Sequence, residues 1–169
     1  MSSPRSISWL LIVTMCSAMF TGCGFQPLHS AKSGASAANL AEIRIAPIAD
    51  RIGQQCRNLL LDKLTPRGPS HAPRYELQVK LTEARQSLAV QKDTVATRAN
   101  LIMRAKFKLV RVEDASVLMT NSAISANSYN ILNEKFATLS AENDARVRAV
   151  RELSDAIRTR VAIYLDNKK

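Results

Sequence analysis

The sequence predicts an α+β domain in which two amphipathic helices pack on one face of a four-stranded sheet, in the order β-α-β-β-β-α. Three observations support this prediction. A short alternating segment and an amphipathic stretch come first, three alternating segments follow at residues 75–129, and a long apolar stripe at helical spacing ends the chain. The length of 169 residues fits one domain with a single core.

The first strand is predicted at residues 40–48, where Ile43 and Ile45 alternate with charged residues. Pro47 either ends this strand or confines it to a free edge of the sheet, because proline cannot donate a hydrogen bond to the ladder.

The first helix is predicted at residues 51–64, with Asp50 as its N-cap. Its apolar residues recur on one helical face, and they are Ile52, Cys56, Leu59, Leu60 and Leu64. A thiol in such a stripe behaves as a small apolar side chain, so we expect Cys56 to pack in the core. Residues 65–73 contain three prolines and a glycine and are predicted to be a loop.

Three further strands are predicted at residues 75–81, 97–112 and 117–129. The alternation blurs over residues 85–91, and Lys92-Asp93 is predicted to be a turn. Residues 113–116 are predicted to form a hairpin turn. The last strand has the weakest pattern because polar residues interrupt it.

The last element is predicted to be a long helix at residues 141–165, with Ser140 as its N-cap. Its core stripe is predicted to consist of Val147, Val150, Leu153, Ile157, Val161 and Tyr164.

The charge balance favours a binding protein over an enzyme. Lys and Arg number 24 against 14 Asp and Glu, and this excess indicates a polyanionic partner such as nucleic acid, an acidic membrane surface or a phosphorylated glycolipid. Three cysteines are too few for a disulfide scaffold. His29 and His71 lie in predicted tether and loop segments, so we expect no histidine-based catalysis, metal site or cofactor.

The N-terminus indicates export. Residues 1–22 combine a basic start with an apolar stretch and are predicted to be a signal peptide. The following Phe20-Thr21-Gly22-Cys23 resembles the lipobox of bacterial lipoproteins, which implies lipidation of Cys23. The alternative is an ordinary signal peptide or a short anchor. Gly24 in place of Asp implies outer-membrane sorting by the enterobacterial rule, and export makes nucleic acid an unsuitable partner.

The second long strand carries a run of cations. Arg98, Arg104, Lys106 and Lys108 share one predicted face, with no acidic residue between Arg98 and Arg111. Residues two apart on a strand are about 6.6 Å apart, which suits binding to separate phosphates or carboxylates. The alternative is a solvated face, or lysines that protect a sheet edge from strand addition.

Several short segments, in order, resemble the alphaproteobacterial branch of the LptE family of LPS-assembly lipoproteins. These segments are Cys23-Gly24-Phe25-Gln26-Pro27-Leu28, Thr97-Arg98, Ser128-Tyr129-Asn130, Phe136-Ala137-Thr138, Asp144-Ala145 and Arg148-Ala149. The resemblance implies two helices on a four-stranded sheet. The sequence contains no CxxC, HExxH, GxSxG or phosphate-binding glycine motif, so we expect no enzymatic activity. The resemblance also implies a position inside the lumen of the LptD outer-membrane β-barrel, where the family assists barrel assembly and delivery of lipopolysaccharide to the outer leaflet.

The resulting prediction is a lipid-anchored outer-membrane protein that faces the periplasm and the barrel lumen. Its parts are a signal peptide at residues 1–22, a lipidated tether at residues 23–39 and one domain at residues 40–169. Two alternatives stay open: an accessory lipoprotein of another envelope lipid or polymer transporter, or a pilotin-like assembly chaperone. In a pilotin the basic strand would pair with acidic residues of the partner and show no affinity for LPS.

Overall fold

The structure is a computed structural model that describes residues 40–66, 68, 70–87 and 97–168. The predicted signal peptide, the tether with Cys23 and the turn at Lys92-Asp93 lie outside these residues. The elements are β1 (Ile43–Ile45), α1 (Asp50–Leu64), β2 (Tyr75–Ser87), β3 (Thr97–Arg111), β4 (Val117–Ile131) and α2 (Lys135–Asp166). The predicted α+β class and the β-α-β-β-β-α order are confirmed.

The sheet has the strand order β1-β2-β3-β4 and is mixed. β1 runs parallel to β2 over Ile43–Ile45, and α1 supplies the crossover that a parallel connection requires. The other pairs are antiparallel, and β2 and β3 stay in register from Tyr75 opposite Arg111 to Ser87 opposite Ala99.

One face of the sheet is buried beneath both helices. Six odd-numbered side chains of β3 are at most 2% exposed, and they are Ala99, Leu101, Met103, Ala105, Phe107 and Leu109. α1 contributes Cys56, Leu60 and Leu64 to the same core. α2 contributes Ala145, Ala149, Val150, Leu153, Ile157 and Val161. The described residues between 40 and 168 therefore fold around one core.

Polar residues of β4 that face the helices are hydrogen bonded. Ser125 Oγ donates to Glu152 Oε2 at 2.6 Å, and Asn127 Nδ2 donates to Ser125 Oγ at 2.8 Å. Arg148 Nε donates to Asn127 Oδ1 at 3.3 Å. These bonds explain how the strand with the weakest apolar alternation still pairs and packs, since buried polar groups need partners.

The prediction that α2 starts after Ser140 is wrong, because the helix begins five residues before that serine, at Lys135. The residues between them include Lys, Ala and Leu, which are good helix formers and do not interrupt the helix. The backbone N–H of Leu132 donates to Thr138 Oγ1 at 2.9 Å, and the hydroxyl donates to Leu132 O at 3.0 Å, so the true start is tied to the end of β4.

The prediction of Asp50 as an N-cap is also wrong. Asp50 is the first residue of α1, Ala49 occupies the N-cap position, and no side-chain capping bond forms. Asp50 adopts a φ of 67°, a left-handed conformation that short polar side chains tolerate. A Cβ on Gly53 would lie 2.7 Å from Ile48 Cγ2, so Ile48 packs closely against the helix at this point. This packing fixes the sharp turn by which the chain enters α1.

Two further predictions are corrected. β2 continues to Ser87 because it stays paired with β3, although every side chain after Leu81 is exposed and gives no alternating signal. Val147 is 42% exposed, because Ala145 and Ala149 occupy the core side of that turn. Among the described residues, no helix combines the length and apolarity needed to cross a bilayer.

Candidate functional site: the basic face of the sheet

The face of the sheet opposite the helices carries the predicted cations. Arg98, Arg104, Lys106 and Lys108 of β3 are all exposed on this side, because strand side chains alternate between faces and their odd-numbered neighbours fill the core. We call this surface, formed by the even-numbered side chains of β2, β3 and β4, the basic face.

The structure brings together three of the four predicted residues. Arg104, Lys106 and Lys108 are consecutive on the basic face. Arg98 is six residues away along the strand, which corresponds to about 20 Å. Its Nε donates to Asn130 Oδ1 of β4 at 3.4 Å, so it lies at the opposite end of the face.

Lys80 of β2 belongs to this cluster and was missed as a candidate from the sequence. It lies directly opposite Lys106 in the β2–β3 ladder, while Gln78 lies opposite Lys108 and Thr82 opposite Arg104. Lys80 stands out as a polar residue in an alternating strand, but only the register shows which cation it faces. Opposite residues of an antiparallel pair have Cβ atoms about 5 Å apart.

A groove of about 750 Å³ lies over this cluster. Its polar lining consists of Gln78, Lys80, Lys106, Lys108, Thr120, Asn121 and Ser122. Ammonium groups, hydroxyls and amides all offer hydrogen-bond donors, and this donor set suits phosphate or carboxylate oxygens. The groove therefore has the chemistry of an anion-binding surface.

Acidic side chains do not neutralise the cluster. The even-numbered positions of β2, β3 and β4 carry five cations and one carboxylate, Glu76. Glu76 accepts a hydrogen bond from Gln78 Nε2 at 2.8 Å and pairs with Arg44, and both contacts lower the pKa of its carboxyl group. Among the described residues, no ion pair includes Lys80, Arg104, Lys106 or Lys108.

The other chemically interesting residues have structural environments. Cys56 is fully buried, its Sγ lies 3.7 Å from Ser154 Oγ, and burial raises the pKa of its thiol, so its predicted core role is confirmed. His71 is exposed in the loop before β2. Within the described part of the chain, no three His, Cys, Asp or Glu side chains are grouped as a metal site requires.

Comparison with known proteins identifies the family. A family model described as "LptE: Lipopolysaccharide-assembly" matches residues 40–161, which is most of the chain. The chain belongs to the LptE family. A candidate lipoprotein of Caulobacter crescentus has the same fold, with a TM-score of 0.67 and 23% identity over 80% of this chain and 98% of that one. A minor lipoprotein of Acinetobacter baumannii gives a TM-score of 0.58 and 17% identity over 72% and 91%.

A sequence relative is similarly distant. The uncharacterised protein RP188 of Rickettsia prowazekii is 20% identical over 160 residues, which cover 95% of this chain and 99% of that protein. The resemblance found in the sequence is thus confirmed at the level of the LptE family. This family consists of non-enzymatic, membrane-associated lipoproteins of LPS-assembly type, which work with LptD-type systems and LPS.

Proposed function

We propose that this LptE-family protein is anchored in the outer membrane through Cys23, occupies the lumen of an LptD-type barrel and helps to assemble it. In this position it assists insertion of lipopolysaccharide into the outer leaflet, and its basic face contacts the LPS. One observation carries the proposed contact: Lys80 and Lys106 are directly opposite each other, and Arg104 and Lys108 flank them.

Electrostatics explains why this arrangement favours an anionic ligand. Like charges directly opposite on neighbouring strands destabilise a sheet. A bound phosphate between Lys80 and Lys106 converts that repulsion into two charge-assisted hydrogen bonds. A bound anion therefore stabilises the clustered cations of the basic face more than it would stabilise four scattered cations.

LPS supplies the required chemistry. The lipid A and inner-core sugars carry phosphates and carboxylates, which divalent cations bridge between neighbouring molecules in the membrane. Fixed cations on one face of a sheet can replace those ions one LPS molecule at a time. We propose that the basic face separates LPS molecules in this way during their delivery.

Lipidation would hold the domain at its site of action. Each buried methylene contributes about 0.8 kcal/mol, so a diacylglyceryl group with an added acyl chain on Cys23 gives stable anchoring. Residues 24–39 connect this anchor to Leu40, which is buried beside β1.

The LPS contact is tested by binding of purified LPS to the full chain. The variant Lys80→Gln/Arg104→Gln/Lys106→Gln/Lys108→Gln should bind LPS about tenfold more weakly or worse, since each lost charged hydrogen bond is worth roughly 1.5 kcal/mol or more. The control Arg51→Gln/Lys135→Gln/Arg151→Gln/Lys168→Gln removes the same charge from exposed positions outside the basic face. Equal losses in both variants would contradict a site on the basic face.

The partner is tested by affinity purification of tagged, lipidated protein from gently solubilised outer membranes. Recovery of a stoichiometric LptD-type barrel supports the proposal. Recovery of a different envelope transporter would contradict it and favour the accessory-lipoprotein alternative. A recovered barrel together with no LPS binding by the wild-type chain would favour the pilotin-like alternative.

A further inference from the structure

The two outer edges of the sheet differ in how far their backbone hydrogen-bonding groups are covered. At the β4 edge, Arg160 Nη1 donates to the carbonyl of Ser122, and Arg148 Nη2 donates to the carbonyl of Ser128 at 3.4 Å. Both arginines come from α2, which lies against β4. These side chains occupy backbone acceptors that an added strand would need, and this is one way in which proteins protect sheet edges.

The β2 edge has much less cover from the residues that the structure describes. β1 pairs only with residues 75–77, and the last bond of this pairing is from Ala46 N to Leu77 O at 3.0 Å. Pro47 has no N–H, and the chain then turns into α1. Residues 78–87 of β2 consequently have no strand on their outer side within the described part of the chain.

The direction of the free backbone groups follows from the pairing. The N–H of Tyr75 and the carbonyl of Leu77 both bond toward the β1 side. In a strand, backbone groups of alternate residues point to the same side. The outward-facing groups of the free segment therefore belong to Val79, Leu81, Glu83, Arg85 and Ser87.

We propose that the free edge of β2, residues 79–87, binds an extended segment of a partner protein as an added strand. The segment that fits alternates apolar and acidic side chains. This site lies beside the basic-face groove proposed for LPS and shares Lys80 with it, but its backbone hydrogen bonds do not depend on that proposal.

The apolar preference comes from a groove beside the edge. This groove of about 310 Å³ lies between the middle of β2 and the start of α1, and its apolar lining consists of Ile48, Ala49, Ile52, Val79, Leu81 and Met103. An added strand would direct every second side chain toward this side of the sheet. An apolar side chain at that position leaves water and gains contact with the groove.

The acidic preference comes from the other side of the same edge. Lys80 projects there, with Lys106 directly opposite it on β3 and Arg104 opposite Thr82. A carboxylate on the added strand would lie on the outer side of Lys80, and a cation there would be repelled. In strand addition, backbone hydrogen bonds supply affinity and alternate side chains supply specificity. The apolar and acidic preferences described above would set that specificity.

A peptide experiment tests this proposal. A fluorescent nine-residue peptide that alternates Val and Glu should bind the full chain, and the same peptide with Lys in place of Glu should bind at least about tenfold more weakly. Equal binding of the two peptides would overturn the acidic preference, and binding of neither would overturn the site.

The variant Arg85→Pro removes one outward N–H and leaves the β2–β3 ladder intact, because this N–H points away from β3. Arg85→Ala is its control, since it removes the same ion pair with Glu142 and keeps the N–H. We expect binding of the Val-Glu peptide to weaken about fivefold in the proline variant relative to the alanine variant, which corresponds to one hydrogen bond. Equal binding would overturn the proposal.

Hydrogen exchange of the wild-type chain covers the case in which the proline variant does not fold. Addition of the Val-Glu peptide should slow exchange of the Val79, Leu81 and Glu83 amides, and unchanged rates would overturn strand addition. LPS binding by Arg85→Ala should equal that of the wild type. Failure of the wild-type chain to bind the Val-Glu peptide, while it still binds LPS, would thus overturn the edge site and leave the proposed function standing.

Discussion

Phe107 and Lys106 are adjacent in β3 and have opposite roles. The Phe107 side chain is 1% exposed in the core, whereas Lys106 lies on the open face opposite another lysine. Sheet geometry alone separates them, because successive side chains point to opposite sides. One strand of fifteen residues thus supplies both the centre of the core and the centre of the proposed binding surface.

The largest effect is expected on the buried side. Phe107→Ala should lower the free energy of unfolding by about 3–5 kcal/mol, because it removes a large core side chain and leaves a cavity. Urea denaturation followed by circular dichroism measures this change. A loss below about 1 kcal/mol would show that the core is not organised around β3.

A smaller, pH-dependent effect is expected on the open side. Hydrogen bonds from Gln78 and Arg44 lower the pKa of Glu76 from its ordinary value of 4.5, so the ionised carboxylate stabilises the fold above that value. Glu76→Gln should cost about 0.2–1 kcal/mol at pH 7. This difference from the wild type should vanish as the pH falls through the lowered pKa, because the wild-type carboxyl group then becomes neutral. A difference that persists at lower pH would contradict this account.

The smallest effect on stability is expected for Lys106→Gln. It should leave the free energy of unfolding unchanged or raise it by up to about 0.5 kcal/mol, because it removes the repulsion with Lys80. A double-mutant cycle with Lys80→Gln measures the coupling between the two lysines. Destabilisation by the single change would show that Lys106 has a structural partner. It would contradict the view that Phe107 supports the fold and Lys106 does not.

The sequence predicted the two faces of β3 well, because residues 98–109 alternate polar and apolar side chains with Ile102 as the one exception. It did not predict the pairing of Lys80 with Lys106, since residues 88–96 separate the two strands and the turn sequence does not specify the register. The most informative feature of the candidate site therefore depends on tertiary structure.

Helix boundaries were predicted less well than helix identities. Ser140 has the chemistry of a cap, but the preceding residues favour helix equally well, and Thr138 closes the turn at Leu132 instead. Val147 fits the apolar period, yet the small side chains of Ala145 and Ala149 are the ones that face the sheet. For both the start of α2 and its core-facing side, the local sequence is compatible with more than one arrangement. Packing against β4 selects the arrangement that forms.

The parallel pairing of β1 with β2 has a consequence for the order of folding. The β3–β4 hairpin involves near neighbours in the chain, whereas β1 can pair only after α1 has folded back and β2 has been delivered beside it. Ile43 and Ile45 precede all the other strands in the chain, yet they reach their core positions after them. We therefore expect β1, the shortest strand, to pair last.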